Sequence, residues 1–403
     1  FLRVSLETVS MTVRRAGRAS GGVWMEQSKR LMSGVHFMQG NYAAVEGAIA
    51  AGCDFFAGYP ITPANEVSEG MARRLPAVGG VFFQGEDELC SIYATTSASL
   101  AGAKAMTATA SAGYDYMMEG LEYAVAVEAP MVVVDVMRCR GENFATQSDI
   151  MQVRWGAAGD HEMIVLAPST VQETFDFTVR AFNLSEEYRT PVVVISEMSL
   201  ALMRERLEIP VEVEVVNRRR TEKSPEEYRP FEARGEWGVP DFAELGTGYR
   251  SIYSINPHDE RGDIEWSPSA FERLYRRITG KVRENRKKIS TTWRYSLDDA
   301  DIALVAYGSE VRPALDAVGM ARERGIRAGL LKVDVPWPFP EEAVSELSSG
   351  VGAVVTVEMN MGKYAGEVER SLGGRCRTYR AVKNLGTPHT PGEILSVLEE
   401  VRR

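Results

Sequence analysis

From Gly40 onward, short apolar runs alternate with helix-like stretches, and no other feature of the 403 residues constrains the fold as tightly. The runs are "DFFAGY", "GVFF", "KAMTAT", "MVVVDV", "MIVLA" and "PVVVIS". They are rich in Val, Ile and Phe and bounded by Gly or Pro, which suits strands covered on both faces by crossover helices. The stretches between them, Tyr42 to Ala51, Pro63 to Leu75, Leu89 to Ala101, Tyr114 to Val127 and Val171 to Tyr188, carry helical patterning. The alternation predicts an α/β fold with a doubly wound parallel sheet over residues 38–204. A single core rarely grows past ~250 residues, so a second domain is expected.

Residues 205–298 break the alternation. They are charged and irregular, with "RRRTEKSPEEYRP" and one clear helix near "SAFERLYRRITGKVRENRKKI", and read as a long connector. The alternation resumes with "DIALVAY", "AGLLKVDV", "GAVVTVEM" and "CRTYRAV", giving a smaller α/β domain over residues 299–403. Its last helix opens with Thr390-Pro391-Gly392-Glu393, a capping box in which hydroxyl and carboxylate satisfy free backbone donors. Residues 1–37 form an N-terminal arm, read either as a flexible, transit-like segment or as upstream sequence with the start at Met11, Met25 or Met32.

A net charge of −10 gives no general attraction for phosphate backbones, so nucleic acid is not expected as a partner. No apolar run approaches the ~20 residues of a membrane span. Cys53, Cys90, Cys139 and Cys376 are scattered without a C-x-x-C pair, which indicates neither a disulfide framework nor a cluster site in this chain and points to a reduced, cytoplasmic protein.

Four strand-to-helix junctions could carry chemistry, each beside a plainer reading. In "GYPITP", Thr62 and Pro63 suit an N-cap and first helical position, yet a hydroxyl at a strand's carboxyl end also lies where open α/β sheets bind ligands. In "QGEDELC", acidic residues favour a first helical turn, while Glu88 opens a helix of small and apolar residues where a buried carboxylate could bond a ligand's ring nitrogen. In "TATASAG", Gly113 lets a ligand or partner backbone approach closely. In "VDVMRCRG", Arg138 and Arg140 suit either a surface ion pair or a bound carboxylate. Cys139 has no base beside it in sequence to make it a nucleophile. Gly159-Asp160-His161 with Asn183 imitates a diphosphate–metal motif but lacks its third glycine, and His258, Asp259, Glu260 and Asp263 read as a solvated turn rather than metal ligands.

"GYPITP", "EDE", "AGAKAMTAT", "VVVDVMR", "STVQETFDFTVRAFNLSEEYRTPVV", "HDERG", "LLKVDVPWPFP" and "VEMNMGKYAGEVE" occur in order over residues 38–403. Together they resemble the α subunit of the 2-oxoacid:ferredoxin oxidoreductases, most closely the 2-oxoglutarate type. The resemblance implies a thiamine diphosphate pyrimidine-binding domain followed by a transketolase C-terminal-like domain. It implies CoA-dependent oxidative decarboxylation of a 2-oxoacid, reversible, with electrons passed to ferredoxin. It also implies a separate β subunit carrying the diphosphate, Mg2+ and a [4Fe-4S] cluster, with γ and δ subunits as further partners.

Position by position, the resemblance assigns Glu88 to N1′ of the aminopyrimidine, Thr62 to the region of the substrate carboxylate, and Arg138 to pairing with that carboxylate. Tyr59, Pro60, Ile61 and Gly113 are implied as further coenzyme-binding positions. The sequence departs from the 2-oxoglutarate pattern where a Gly-Pro-Ser-Thr-Gly loop is replaced by "CRGENFATQSD" and "TSGPG" by "TASAG". "MARRLPAVGGVF" and "QSD" resemble branched-chain relatives, so branched-chain or pyruvate-type substrates, and a non-catalytic scaffold of the same fold, remain as alternatives.

Overall fold

The computed structural model describes residues 31–139, 144–233, 238–384 and 386–403. Residues 1–30 of the expected N-terminal arm lie outside them, as does Arg140.

Each apolar run of the first half is a strand: β2 (Phe55–Gly58), β3 (Val81–Gln84), β4 (Ala105–Thr109), β5 (Met131–Met137), β6 (Ile164–Leu166) and β7 (Pro191–Glu197). They form a parallel six-stranded sheet in the order β3-β2-β4-β5-β7-β6. Every residue of β5 and β7 is buried. Successive side chains of a strand point to opposite faces, and β5 follows this rule. Met131, Val133 and Met137 join one apolar cluster with Ile92 of α3 (Glu88–Leu100) and Met117 and Leu121 of α4 (Ser111–Ala126). Val132, Val134 and Val136 join the other, with Ile49 of α1 (Gly40–Ala50) and Phe175 and Phe182 of α6 (Val171–Tyr188). Helices on both faces make the sheet doubly wound, and the parallel α/β expectation holds.

The second sheet has the order β13-β12-β10-β11-β9. Its four parallel strands, β10 (Ile302–Tyr307), β11 (Ala328–Val333), β12 (Ala353–Glu358) and β13 (Arg377–Val382), match the four apolar runs of the second half, and β9 (Thr292–Tyr295) adds an antiparallel edge. One face shares the first sheet's core: Ala303, Val305 and Tyr307 pack in the cluster that holds Val133 and Val193. The opposite face, with Ile302, Leu304 and Ala306, builds a separate core against α10 (Val311–Glu323) and α13 (Pro391–Arg402). Thr390 and Glu393 form the expected capping box at the start of α13.

Besides β9, two more strands had no counterpart among the apolar runs. β1 (Gly34–Gln39) pairs antiparallel with β8 (Arg204–Ile209) in a separate ribbon. The charged stretch after it is anchored by buried ion pairs. Arg218 binds Glu186 of α6 and donates to the carbonyls of Ser99 and Ala103 at 2.8 Å. On α8 (Pro268–Arg283), fully buried Lys281 donates to Glu128 at 2.8 Å and to the Arg189 carbonyl at 2.7 Å, and Arg277 also pairs with Glu128. Burial alone would raise the Glu128 carboxyl; the cations of Arg277, Lys281 and Arg189 outweigh it and hold the group well below the usual carboxylate range. Among the described residues no helix is long and apolar enough to cross a membrane.

Removing one partner of a buried pair leaves an uncompensated charge. Glu128→Gln, which takes the carboxylate from fully buried Lys281 and from Arg277, is therefore expected to lower stability by ~3–5 kcal/mol in urea unfolding, with part of the loss recovered in the Lys281→Met/Glu128→Gln double variant. A loss of the single variant below ~1 kcal/mol would contradict this role.

Candidate active site

Parallel strands expose their carboxyl ends at one edge of a sheet, and chemistry gathers there because the faces are filled. β2, β3, β4 and β5 bring the four junctions to that edge.

After β2, Tyr59, Pro60 and Thr62 are exposed and Ile61 is half-buried. Thr62 does not cap the helix, and Pro63 is not its first residue. The chain first closes a turn, with Ala64 N–H donating to the Ile61 carbonyl at 2.8 Å, and α2 (Asn65–Ala77) begins beyond it. The Thr62–Pro63 peptide bond is cis. The Pro63 carbonyl accepts from Asn41 Nδ2 at 2.7 Å, and Thr62 Oγ1 accepts from Asn65 Nδ2 at 3.1 Å. Side-chain amides thus hold the turn, and the Thr62 hydroxyl keeps its own proton to donate.

After β3, Asp87 is the N-cap of α3, its Oδ1 accepting from Cys90 N–H at 2.6 Å. Glu88 is the first residue of α3 and only 8% exposed. Its neighbour across the junction is Gly113 in the first turn of α4. A Cβ at Gly113 would lie 2.6 Å from Glu88 Oε1 and 2.2 Å from Thr109 Oγ1, so only glycine fits there beside the carboxylate. Thr109 Oγ1 is itself buried without a hydrogen-bond partner among the described residues. A buried polar group normally finds a partner. An acceptor carboxylate, an unpartnered hydroxyl and a glycine in contact form a cradle that a ring nitrogen would complete, and in this respect the residues fit an aminopyrimidine.

After β5, Arg138 is half-buried. Its backbone N–H donates to Ser111 Oγ at 3.0 Å, and Ser111 Oγ donates in turn to Asp149 Oδ2 at 2.5 Å. Ser111 opens α4, so one short helical turn joins Gly113 to the backbone of Arg138.

Sequence reasoning missed a layer behind this edge. Asp135 is fully buried in β5, and neither of its carboxyl oxygens has a hydrogen-bond partner among the described residues; burial first, and then the nearby Asp149 carboxylate, push it well above the ordinary range. The visible signal was a lone carboxylate in "MVVVDVM". It also missed Gln147 and Glu197. Gln147 Nε2 donates to Glu197 Oε1 at 2.7 Å, and Ser309 N–H donates to the same oxygen at 3.2 Å. Burial pushes Glu197 up to about 7, against the opposing effect of these bonds.

Neither decoy cluster behaves as a ligand set. Asn183 stays within α6 and binds the backbone of Glu214 and Val216, which latches the segment after β8. In the other cluster, Asp259 Oδ1 accepts from Arg261 and Asp263 N–H, but His258 is buried and its ring lies 4.0 Å from that of Phe231. The turn is therefore solvated only in part.

The pyruvate flavodoxin/ferredoxin oxidoreductase family, through its thiamine diphosphate-binding domain, matches residues 46–260, and the pyruvate:ferredoxin oxidoreductase core domain II matches residues 300–393. This chain belongs to that family. Its thiamine diphosphate-binding domain carries all four junctions. The chain is 45% identical over 377 residues to the 2-oxoglutarate synthase subunit KorA of Methanothermobacter thermautotrophicus, covering 92% of this chain and all of that one. It is 35% identical over 369 residues to the ketoisovalerate oxidoreductase subunit VorB of the same organism, covering 91% and 96%. Among solved structures, a 2-oxoglutarate:ferredoxin oxidoreductase from Magnetococcus marinus with 2-oxoglutarate, coenzyme A and succinyl-CoA bound superposes with a TM-score of 0.85 at 29% identity. The match covers 92% of this family member and 65% of that longer chain. An inactive split-gene transketolase shares the fold alone, with a TM-score of 0.53 at 13% identity.

Glu197 offers a check on the electrostatics of this edge. Its folded pKa, about 7, lies above the ~4.3 of an unfolded glutamate. Its contribution to stability is thus fully present below the unfolded value and lost as pH rises through about 7, by roughly 3–4 kcal/mol. Glu197→Gln cannot titrate. Urea unfolding at pH 5 and pH 8 is expected to show the parent protein losing stability relative to this variant; parallel profiles would contradict the assignment.

Proposed function

We propose that this chain is the α subunit of a 2-oxoglutarate:ferredoxin oxidoreductase. The reaction converts 2-oxoglutarate, CoA and two oxidised ferredoxins to succinyl-CoA, CO2, a proton and two reduced ferredoxins, and runs in either direction. The observation that carries the reading is the buried carboxylate of Glu88, set against Gly113 and the unpartnered Thr109 hydroxyl on the strand edge of a thiamine diphosphate-binding domain. The higher identity to KorA than to VorB favours 2-oxoglutarate over branched-chain 2-oxoacids.

Thiamine diphosphate, when bound, supplies the carbon nucleophile and the electron sink. Glu88 holds a proton between its carboxylate and ring nitrogen N1′, an interaction strengthened by exclusion of water. Gly113, lacking a Cβ, leaves room for the ring beside that carboxylate. Thr62 offers its free hydroxyl proton to the substrate carboxylate from the amide-braced turn that Tyr59, Pro60 and Ile61 lead into. Arg138 pairs with the same carboxylate through its planar guanidinium. The exposed rings of Tyr59, Phe83 and Tyr116 border these junctions and suit burial against a second chain.

That second chain is a β subunit, to which the reading assigns the diphosphate, Mg2+ and a [4Fe-4S] cluster, with γ and δ subunits completing the assembly in the cytoplasm.

Glu88→Gln and Glu88→Ala, each purified with the β partner, are expected to lower the rate of 2-oxoglutarate-dependent viologen reduction by ~10²–10⁴-fold while leaving complex formation intact. Near-normal turnover would refute the assignment. A parent complex that reduces neither ferredoxin nor viologen with any 2-oxoacid would identify a scaffold subunit instead.

A further inference from the structure

Gln147 is fully buried, and every polar atom it has is bonded. Its Nε2 donates to Glu197 Oε1 at 2.7 Å and to the Tyr307 carbonyl at 2.9 Å. Its Oε1 accepts from Met359 N–H at 2.9 Å, and its backbone N–H returns a bond of 2.9 Å to the Met359 carbonyl. Its own carbonyl accepts from Asn360 Nδ2 at 2.9 Å. Glu197 ends β7, Tyr307 ends β10, and Met359 follows β12. One glutamine thus ties together three strand ends from two sheets. Its neighbours repeat the pattern: Thr146 Oγ1 donates to the Met359 carbonyl at 3.2 Å, and Lys363 Nζ donates to the Ser148 carbonyl at 2.7 Å.

The other side of this segment meets Arg138. Arg138 and Ala145 form an antiparallel bridge, Cys139 N–H donates to the Phe144 carbonyl at 2.8 Å, and Asp149 reaches the Arg138 backbone through Ser111. Residues 144–149 therefore lie between the second sheet and the arginine.

We propose that Gln147 is a positioning residue for Arg138: by locking residues 144–149 to the strand ends of the second sheet, it holds the guanidinium in register with the carboxylate of the 2-oxoacid. The inference rests on the substrate-binding role given to Arg138 above. Without the amide, the Tyr307 carbonyl, the Met359 N–H and the Glu197 carboxyl lose buried partners, and the segment must shift to satisfy them. A bidentate pair depends on angle as well as distance, so a small shift weakens substrate binding. No bond links Gln147 to Glu88 or Gly113 among the described residues, so the coenzyme cradle is left in place. The smaller domain thereby tunes affinity for the 2-oxoacid without touching it.

The test uses the purified α–β complex with Gln147→Ala, the milder surface variant Lys363→Met, and Arg138→Lys alongside. For Gln147→Ala the KM for 2-oxoglutarate is expected to rise at least ~10-fold, with the KM for CoA within ~2-fold and kcat within ~3-fold of the parent. Lys363→Met is expected to shift the same KM in the same direction by ~2–3-fold. Amide hydrogen exchange at Cys139 and at the backbone of position 147, followed in the same complexes without substrate, is expected to quicken in Gln147→Ala while β4 and β5 stay protected. A raised KM in Arg138→Lys with unchanged KM in both other variants would overturn this proposal alone. An unchanged KM in Arg138→Lys would overturn it together with the role of the arginine. A loss of kcat in Gln147→Ala with both KM values unchanged, or exchange quickened equally in β4 and β5, would reduce Gln147 to a structural residue and likewise overturn it.

Discussion

The site depends on strands whose side chains are buried on both faces. With Met131, Val133 and Met137 in one core and Val132, Val134 and Val136 in the other, β5 has no free face to offer a ligand. Only its carboxyl end can carry chemistry, and the same holds for β4. Each side chain of the proposed mechanism stands on the first residues beyond a strand of this sheet or in the first turn of the helix that follows; β3, which precedes Glu88, is the sheet's partly exposed edge. The cores fix those ends closely, because dense interiors transmit small displacements instead of absorbing them.

The second sheet does more than extend the fold. Because Ala303, Val305 and Tyr307 share a core with Val133 and Val193, the carboxyl ends of β7 and β10 are held near one another. The space between them is filled by polar groups with almost no access to water, among them Gln147, Glu197 and Ser309. Such a network specifies one arrangement, since any other leaves groups unpaired in a region of low dielectric. Arg138, bridged to Ala145 beside this seam, inherits the order of its backbone from both sheets.

Much of this organisation could be read from residue order, and what could not was long-range. Runs such as "MVVVDV" and "PVVVIS" are legible because burial on two faces writes the same apolar signal at every position. The capping box at Thr390 is legible because its partners lie three residues apart. Glu88 and Arg138 stood out by their place at strand ends, and the family motifs supplied the roles expected of them. β1 escaped notice because Val35 and Phe37 are exposed and the fully buried apolar residues of the ribbon, Leu207 and Ile209, lie on its partner β8. Thr62 was misjudged as a cap because a turn closed by Ala64 intervenes before the helix and is braced by Asn41, which belongs to another helix. Gln147 gave no local hint: its partners stand 50, 160 and 212 residues away. Pairings of that kind arise from tertiary packing and leave no period in the chain.

A structure of the assembled complex with thiamine diphosphate bound would test the central claim most directly, through the distance from the Glu88 carboxylate to N1′ of the coenzyme. The expected result is a hydrogen bond of about 2.6–3.0 Å, with Gly113 against the ring. A coenzyme seated elsewhere, or Glu88 paired with another protein side chain and out of reach of the pyrimidine, would contradict it.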